Sequence, residues 1–265
     1  MKNVFALAFA SLLFNSGFAQ KINIQPSVLD FRVGPSGVQS QSVRISNLSD
    51  RKIKFIAYLA DWLRDSTGGH QYFRADTLPR SCASWINISK SFLEVEPGKS
   101  EELIVRLNTP ADQKKVDEMK WAMLFLQAAE EQDSSSRNKK NVQTEVKEII
   151  RVGIHIYETP PQLSAAQARA VSLKPGGEKN TYELLMKNTG NVMLQCKAYL
   201  ELTNPADGKS YQTEKIEFPV FPDGTRKVKL TLPANIPKGK YSALAILDIG
   251  EDLPLEGIEK TIEVL

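Results

Sequence analysis

The chain has 265 residues, with 34 Lys+Arg against 31 Asp+Glu, 42% hydrophobic residues, 15 Gly and 14 Pro. This balance is that of a globular protein and excludes a disordered or collagen-like chain. A net charge of +3 dispersed over so many ionised groups sustains no positive field of the kind phosphate backbones require, which argues against nucleic acid as a partner.

In chain order, the first element stands apart from the fold. Lys2 precedes an apolar run from Val4 to Phe14, and Ser16, Gly17, Phe18 and Ala19 follow. This is the pattern of a secretory signal peptide over residues 1–19, cut after Ala19. The run is shorter than the about 20 residues of a transmembrane helix, and it has no polar face to make it an amphipathic surface helix. The mature chain is expected to carry no membrane span. Export permits disulfides, but Cys82 and Cys196 lie in opposite halves of the chain. Two buried thiols are the favoured reading and an inter-domain bridge the alternative.

From residue 20 the recurring signal is alternation with period two, broken by Asn, Asp, Gly and Pro clusters, which predicts sandwich strands. Val43 and Ile45 alternate with Ser42 and Arg44; Asn47, Ser49 and Asp50 make a turn; Ile53 to Trp62 is the next strand. The segment Asp65 to Ala83 reads as an inserted loop. Leu93, Val95, Pro97 and Gly98 then lead into Leu103, Val105 and Leu107, a strand, a turn and a strand. One or two helical turns are expected within Ala111 to Met119, and a strand over Lys120 to Ala129. The almost wholly polar run Glu130 to Asn141 reads as a mobile loop.

Thr159, Pro160 and Pro161 form a short stiff hinge, because proline cannot donate to a ladder. Beyond it the first plan recurs. Tyr182 to Met186 precedes the turn Asn188 to Asn191, and Val192, Leu194, Cys196, Ala198, Leu200 and Leu202 face one way. Phe218, Val220, Pro222 and Gly224 then lead into Val228, Leu230 and Leu232. Strands follow over Gly239 to Asp248 and Gly257 to Leu265. The prediction is an all-β chain of two immunoglobulin-like β-sandwich domains, 20–159 and 160–265.

Catalytic chemistry finds no carrier. His70 and His155 are the two histidines, neither has metal-ligand spacing, and the cysteines have no zinc-site spacing. No phosphate loop, dinucleotide fingerprint or nucleophile elbow is present. Ser49 and Lys52 stand three apart, but in a turn and without companion motifs. Glu101/Glu102 and Glu130/Glu131 read as solvated faces. Neither a catalytic residue nor a metal or other cofactor is therefore assigned. Trp62, Trp85 and Trp121 read as packing residues, with an aromatic platform for glycans as the alternative.

Several segments in order carry a resemblance: Ser42 to Asp50 with the strand to Trp62, Trp85 to Leu107 with its Glu96-Pro97-Gly98 turn, the strand Trp121 to Gln127, and Arg151 to Pro160 entering the hinge. With the two-sandwich plan and the export signal, they resemble the PapD-like periplasmic chaperones of pilus and surface-fibre assembly. The resemblance implies a non-enzymatic periplasmic chaperone that binds exported fimbrial or surface subunits, with an outer-membrane assembly protein as a further partner. It implies that the last strand of the first domain binds the client by β-augmentation. Aligned on Pro160, the client-binding positions are Val146, Glu148, Ile150, Val152 and Ile154, with Ile156 closing the row. Glu148 interrupts it with a carboxylate that a client groove would have to pair. The family's basic anchor, an Arg on the first strand and a Lys on the last, falls in the cleft at Val28 and at His155 or Ile154, so this sequence lacks the pair. His155 offers one hydrogen bond and only partial charge near neutral pH. The alternative from another class is a structural scaffold of an envelope complex, or a surface adhesive or glycan-binding module.

Overall fold

In the computed structural model, residues 22–129, 149–250 and 253–264 are described. The expected export signal, the polar run from Glu130 to Asn141 expected to be a mobile loop, and two predicted client-binding positions, Val146 and Glu148, lie outside them. Among the described residues no helix is long and apolar enough to cross a membrane.

Among the described residues the regular secondary structure is nearly all strand, and it forms two immunoglobulin-like sandwiches. In the first, β1 (Ile22–Gln25), β3 (Val38–Asn47), β8 (Ser100–Asn108) and β6 (Ile86–Ile88) make one sheet in the order β1-β3-β8-β6. The facing sheet runs β2-β10-β9-β4-β5. Its members are β2 (Val28–Phe31), β10 (Arg151–Glu158), β9 (Lys120–Ala128), β4 (Ile53–Arg64) and β5 (His70–Arg74), with β7 (Phe92–Val95) also pairing β4. A short helix, α1 (Gln113–Val116), falls inside the segment expected to be helical.

The second sandwich pairs β11 (Ala168–Pro175), β12 (Thr181–Asn188) and β16 (Thr225–Thr231) in one sheet. The other follows the order β14-β13-β17-β18, from β14 (Ser210–Gln212), β13 (Leu194–Thr203), β17 (Gly239–Asp248) and β18 (Glu256–Val264). β15 (Ile216–Val220) adds to β13.

Alternation decides which side chains fill each core. Val43 and Ile45 of β3 meet Leu103, Val105 and Leu107 of β8 in the first sandwich, all fully buried. Leu194, Cys196, Ala198, Leu200 and Leu202 of β13 face Val228 and Leu230 of β16 in the second. Cys82 and Cys196 are separate buried thiols; burial raises both pKa values, that of Cys196 to about 12.

The two Asn-led turns are built alike. Asn47 Nδ2 donates to the carbonyls of Arg51 and Val95 at 2.6 and 2.9 Å, and its Oδ1 accepts from the Ser49 amide. Asn188 Nδ2 donates to the carbonyls of Val192 and Val220 at 2.9 and 3.0 Å, and its Oδ1 accepts from the Gly190 amide. Ser49 Oγ also donates to Asn47 Oδ1, and Lys52 pairs with Glu96 at 2.7 Å, so the Ser/Lys pair is a turn and a surface ion pair.

The segment Asp65 to Ala83, expected to be an inserted loop, is partly strand, and it docks on the second sandwich. β5 pairs with the end of β4, extending that strand to Arg64. Lys227 N donates to Ser66 O at 2.7 Å, and Arg80 Nη2 pairs with Asp223 Oδ2 at 2.7 Å. A small third core sits behind these links. Phe221 of the second sandwich places its ring 5.1 Å from Trp62, 4.8 Å from Trp121 and 5.6 Å from Tyr157. Removing that ring leaves a cavity at the junction. Phe221→Ala is therefore expected to split a single calorimetric unfolding transition into two, one per sandwich.

Candidate functional site

The site is built around β10. This strand pairs antiparallel with β9 along its whole length, from Arg151 opposite Gln127 to Glu158 opposite Lys120. On its other flank the parallel strand β2 covers only His155 to Glu158. β10 is thus second in its sheet, and it is an edge strand only from Arg151 to Ile154 among the described residues. Backbone direction alternates along a strand. Ile150 O accepts from Ala128 N on the β9 side, whereas His155 N donates to Ser27 O on the other. By the same alternation Arg151 and Gly153 turn their N–H and C=O groups toward the open flank.

Side chains on this strand grade from water into the core. Ile150 is 45% exposed, Val152 is half-buried, and Ile154 and Ile156 have no exposed surface. Ile154 therefore departs from the client-facing role expected of it. With β2 closing the flank from the next residue onward, its side chain is held between the two sheets of its own sandwich.

Val28 and His155 are register partners, so the two cleft positions do meet. Val28 is 41% exposed and brings no charge. His155 instead faces the other histidine: the Nε2 atoms of His155 and His70 lie 3.2 Å apart, and Arg64 Nη2 is 3.1 Å from His70 Nε2. A guanidinium only donates, so His70 Nε2 accepts and the hydrogen between the rings belongs to His155 Nε2. Trp62 packs beside both rings at 4.9 Å. Burial, then the charges of His70 and Arg64, pushes His155 down to about 4. Burial and Arg64 lower His70 as well. Held near 4, His155 lacks even the partial charge expected of it near neutral pH.

Glu158 closes the strand, fully buried, with Oε1 accepting from Val33 N at 3.0 Å and Oε2 without a partner. Burial is the main cause that pushes its carboxyl up to about 7.

Beside this cluster a cavity of about 340 Å³ lies between the sandwiches. Trp62, Trp121 and Phe221 contribute to its wall, together with Arg64 and Arg226. Trp62 and Trp121 are at most 5% exposed, so neither is a surface platform for a glycan. Arg64 and Arg226 are functional candidates that sequence reasoning missed. Each stands at the end of an inward row, Arg64 after Ala60 and Trp62 and Arg226 before Val228 and Leu230, where a charge reads as the point at which the row reaches water.

No protein-family model matches the chain, and no curated protein matches it. Its fold is that of the PapD-like chaperones. A solved chaperone from a complex with a tip adhesin, described as vital for activation of CFA/I fimbriae biogenesis, superposes with a TM-score of 0.51 at 13% identity, covering 91% of this chain and 97% of that one. The class 5 fimbriae chaperone CfaA gives 0.49 at 13% identity over 91% and 98% of the two chains. The structure of the CsuC–CsuE chaperone–tip subunit complex of Acinetobacter baumannii gives 0.49 at 14% over 91% and 97%.

Proposed function

We propose that the protein is a non-enzymatic periplasmic chaperone that binds exported fimbrial or surface subunits along the open flank of β10, with residues 1–19 as its export signal and domains at 20–159 and 160–265. The observation that carries this reading is the flank from Arg151 to Ile154, unpaired among the described residues, next to the exposed Ile150 and the half-buried Val152. Outward N–H and C=O groups at Arg151 and Gly153 would pair a client strand, while Ile150 and Val152 would contribute apolar side chains to its open core. Val146 and Glu148 would continue the row upstream. Because Val28 and His155 are both uncharged, the client's terminus would not be held by a basic pair at these two positions.

The test is co-expression with the exported subunits encoded beside its gene and isolation of a one-to-one complex. Ile150→Asp combined with Val152→Asp is expected to reduce the captured subunit at least about tenfold, since each carboxylate would be desolvated on pairing. Circular dichroism and thermal midpoint should stay near wild type, because neither side chain is fully buried. Undiminished capture by the folded double variant would remove the strand-pairing mechanism.

A further inference from the structure

The β4–β5 hairpin packs against both β9 and β10. Well along β5, Tyr72 places its ring 5.1 Å from Phe125 of β9, and the Arg151 guanidinium of β10 stands 5.6 Å from the same ring. Beside the turn, His70 meets His155 of β10. Here two donors converge on one atom: Arg64 Nη2 lies 3.1 Å and His155 Nε2 lies 3.2 Å from His70 Nε2. Arg64 also uses Nη1 on Gly68 O at 3.2 Å, which ties it to the Asp65–Gly69 turn. That turn reaches the second sandwich, where Lys227 N donates to Ser66 O at 2.7 Å and where a side chain at Gly68 would meet the Arg226 guanidinium. A continuous chain of contacts therefore runs from β10 through His70 and Arg64 to β16.

A guanidinium can only donate, so both bonds at this point depend on His70 Nε2 staying unprotonated. A proton there sets three donors against one another and adds a cation beside Arg64. The surroundings decide how easily it is added. β4 contributes Trp62 and Arg64, β5 contributes Tyr72, and β10 contributes His155 and Tyr157. From β16 come Arg226 and Lys227, the latter paired with Glu183 at 3.8 Å, and Val28 of β2 brings no charge. Asp65, the acid of the turn, favours a charged His70. Burial and Arg64 outweigh it, so the ring titrates below the usual 6.5.

We propose that the β4–β5 hairpin is an acid-released strap between the sandwiches: a proton on His70 Nε2 breaks its bonds to Arg64 and His155, and the turn then lifts from β16. Protonation of a histidine is a common trigger for such a two-state contact. The contacts of Tyr72 with Phe125 and Arg151 do not involve His70, and they keep the far end of the hairpin in place. The Arg80–Asp223 pair and the Phe221 ring also remain, so the sandwiches loosen without parting. The strap works whatever β10 binds, and it stands apart from the chaperone reading.

The experiment follows the Lys227 amide of the mature protein by hydrogen exchange in NMR at pH 7.5 and pH 4.5, corrected for the intrinsic pH dependence of exchange. This amide is expected to exchange at least about tenfold faster at pH 4.5, as local opening implies, while the amides of β12 and β13 keep their protection. The His70 ring is titrated in the same sample, and its midpoint should coincide with the change in exchange. His70→Gln keeps an acceptor oxygen that does not titrate, and should protect Lys227 equally at both pH values. His155→Gln keeps a donor toward His70, and should leave the acid release intact. Equal protection of Lys227 at both pH values in the wild type would overturn the proposal. An acid response that survives in folded His70→Gln, or vanishes in folded His155→Gln, would do the same. If the variants fold poorly, the wild type decides: a His70 midpoint more than about one pH unit from the exchange midpoint refutes the strap.

Discussion

Asn47→Ala is expected to destabilise the first sandwich by about 3 kcal/mol, because it strands buried carbonyls rather than removing apolar contact. Asn47 is 1% exposed, and its Nδ2 serves two carbonyls, that of Val95 in a buried bond. Alanine leaves these acceptors dry, and also releases the Ser49 amide that fixes the turn between β3 and β4. Asn188→Ala should act equally on the second sandwich, where Asn188 is fully buried and serves Val192 and Val220. The two effects can be told apart by probe. All three tryptophans lie before the hinge, so urea unfolding followed by tryptophan emission should shift mainly in Asn47→Ala, while far-ultraviolet circular dichroism should shift in both. Asn47→Asp keeps the acceptor for the Ser49 amide but sets a buried carboxylate oxygen against both carbonyls, and is expected to recover none of the loss.

The second large effect is a pair of opposed pH dependences. His155 is held near 4 in the folded protein against 6.5 for an ordinary histidine. Between those values the unfolded chain binds more protons, so this group's contribution is complete above about 6.5 and is lost as pH falls toward 4. His70, also lowered, acts in the same direction. Glu158 is raised to about 7 against 4.5. Between those values the folded chain binds more protons, so its contribution is complete below about 4.5 and is lost as pH rises toward 7. At about 1.4 kcal/mol per pKa unit, Glu158 amounts to about 3 kcal/mol and His155, discounted for its partial solvation, to about 2 kcal/mol. In the wild type they largely cancel between pH 4.5 and 6.5. Glu158→Gln is expected to expose the histidine slope, with stability rising from pH 4 to 6.5 relative to wild type. His155→Gln should expose the opposite slope, with stability falling from pH 4.5 to 7. Denaturation midpoints across that range check both; parallel curves for the three proteins would refute the opposition.

What could be read from the sequence was local in origin. The Asn47 and Asn188 turns, the Pro97-Gly98 and Pro222–Gly224 turns, and the buried rows of β3, β8 and β13 each follow from residues adjacent in the chain, and period two carries them into strands. β10 was legible as a strand, but not the point at which β2 covers it, because that depends on a parallel pairing with the other end of the domain. Hence Ile154, which continues the apolar row of Ile150 and Val152, belongs to the core. The His70–His155 contact and the Arg64/Arg226 cavity were illegible for the same reason. His70 and Arg64 are brought to their partners by the β4–β5 hairpin, and its sequence, rich in Gly, Asp and Arg, reads as loop. Arg226 shares the inward face of β16 with Val228 and Leu230, opposite Lys227 and Lys229, so alternation sets it apart, but the cavity it lines depends on the other sandwich.

The ring of Phe221 among Trp62, Trp121 and Tyr157 also bears on how the molecule can be divided. A fragment ending at the Pro160-Pro161 hinge would retain three large aromatic side chains shaped around a missing fourth, and would present that socket to water. A fragment beginning there would carry the plug, with Phe221 turned outward and Arg226 stripped of the turn that presses on it. Neither half made alone should behave as the corresponding half of the intact chain, and mixing the two separately purified halves would be a direct assay of how tightly plug and socket fit.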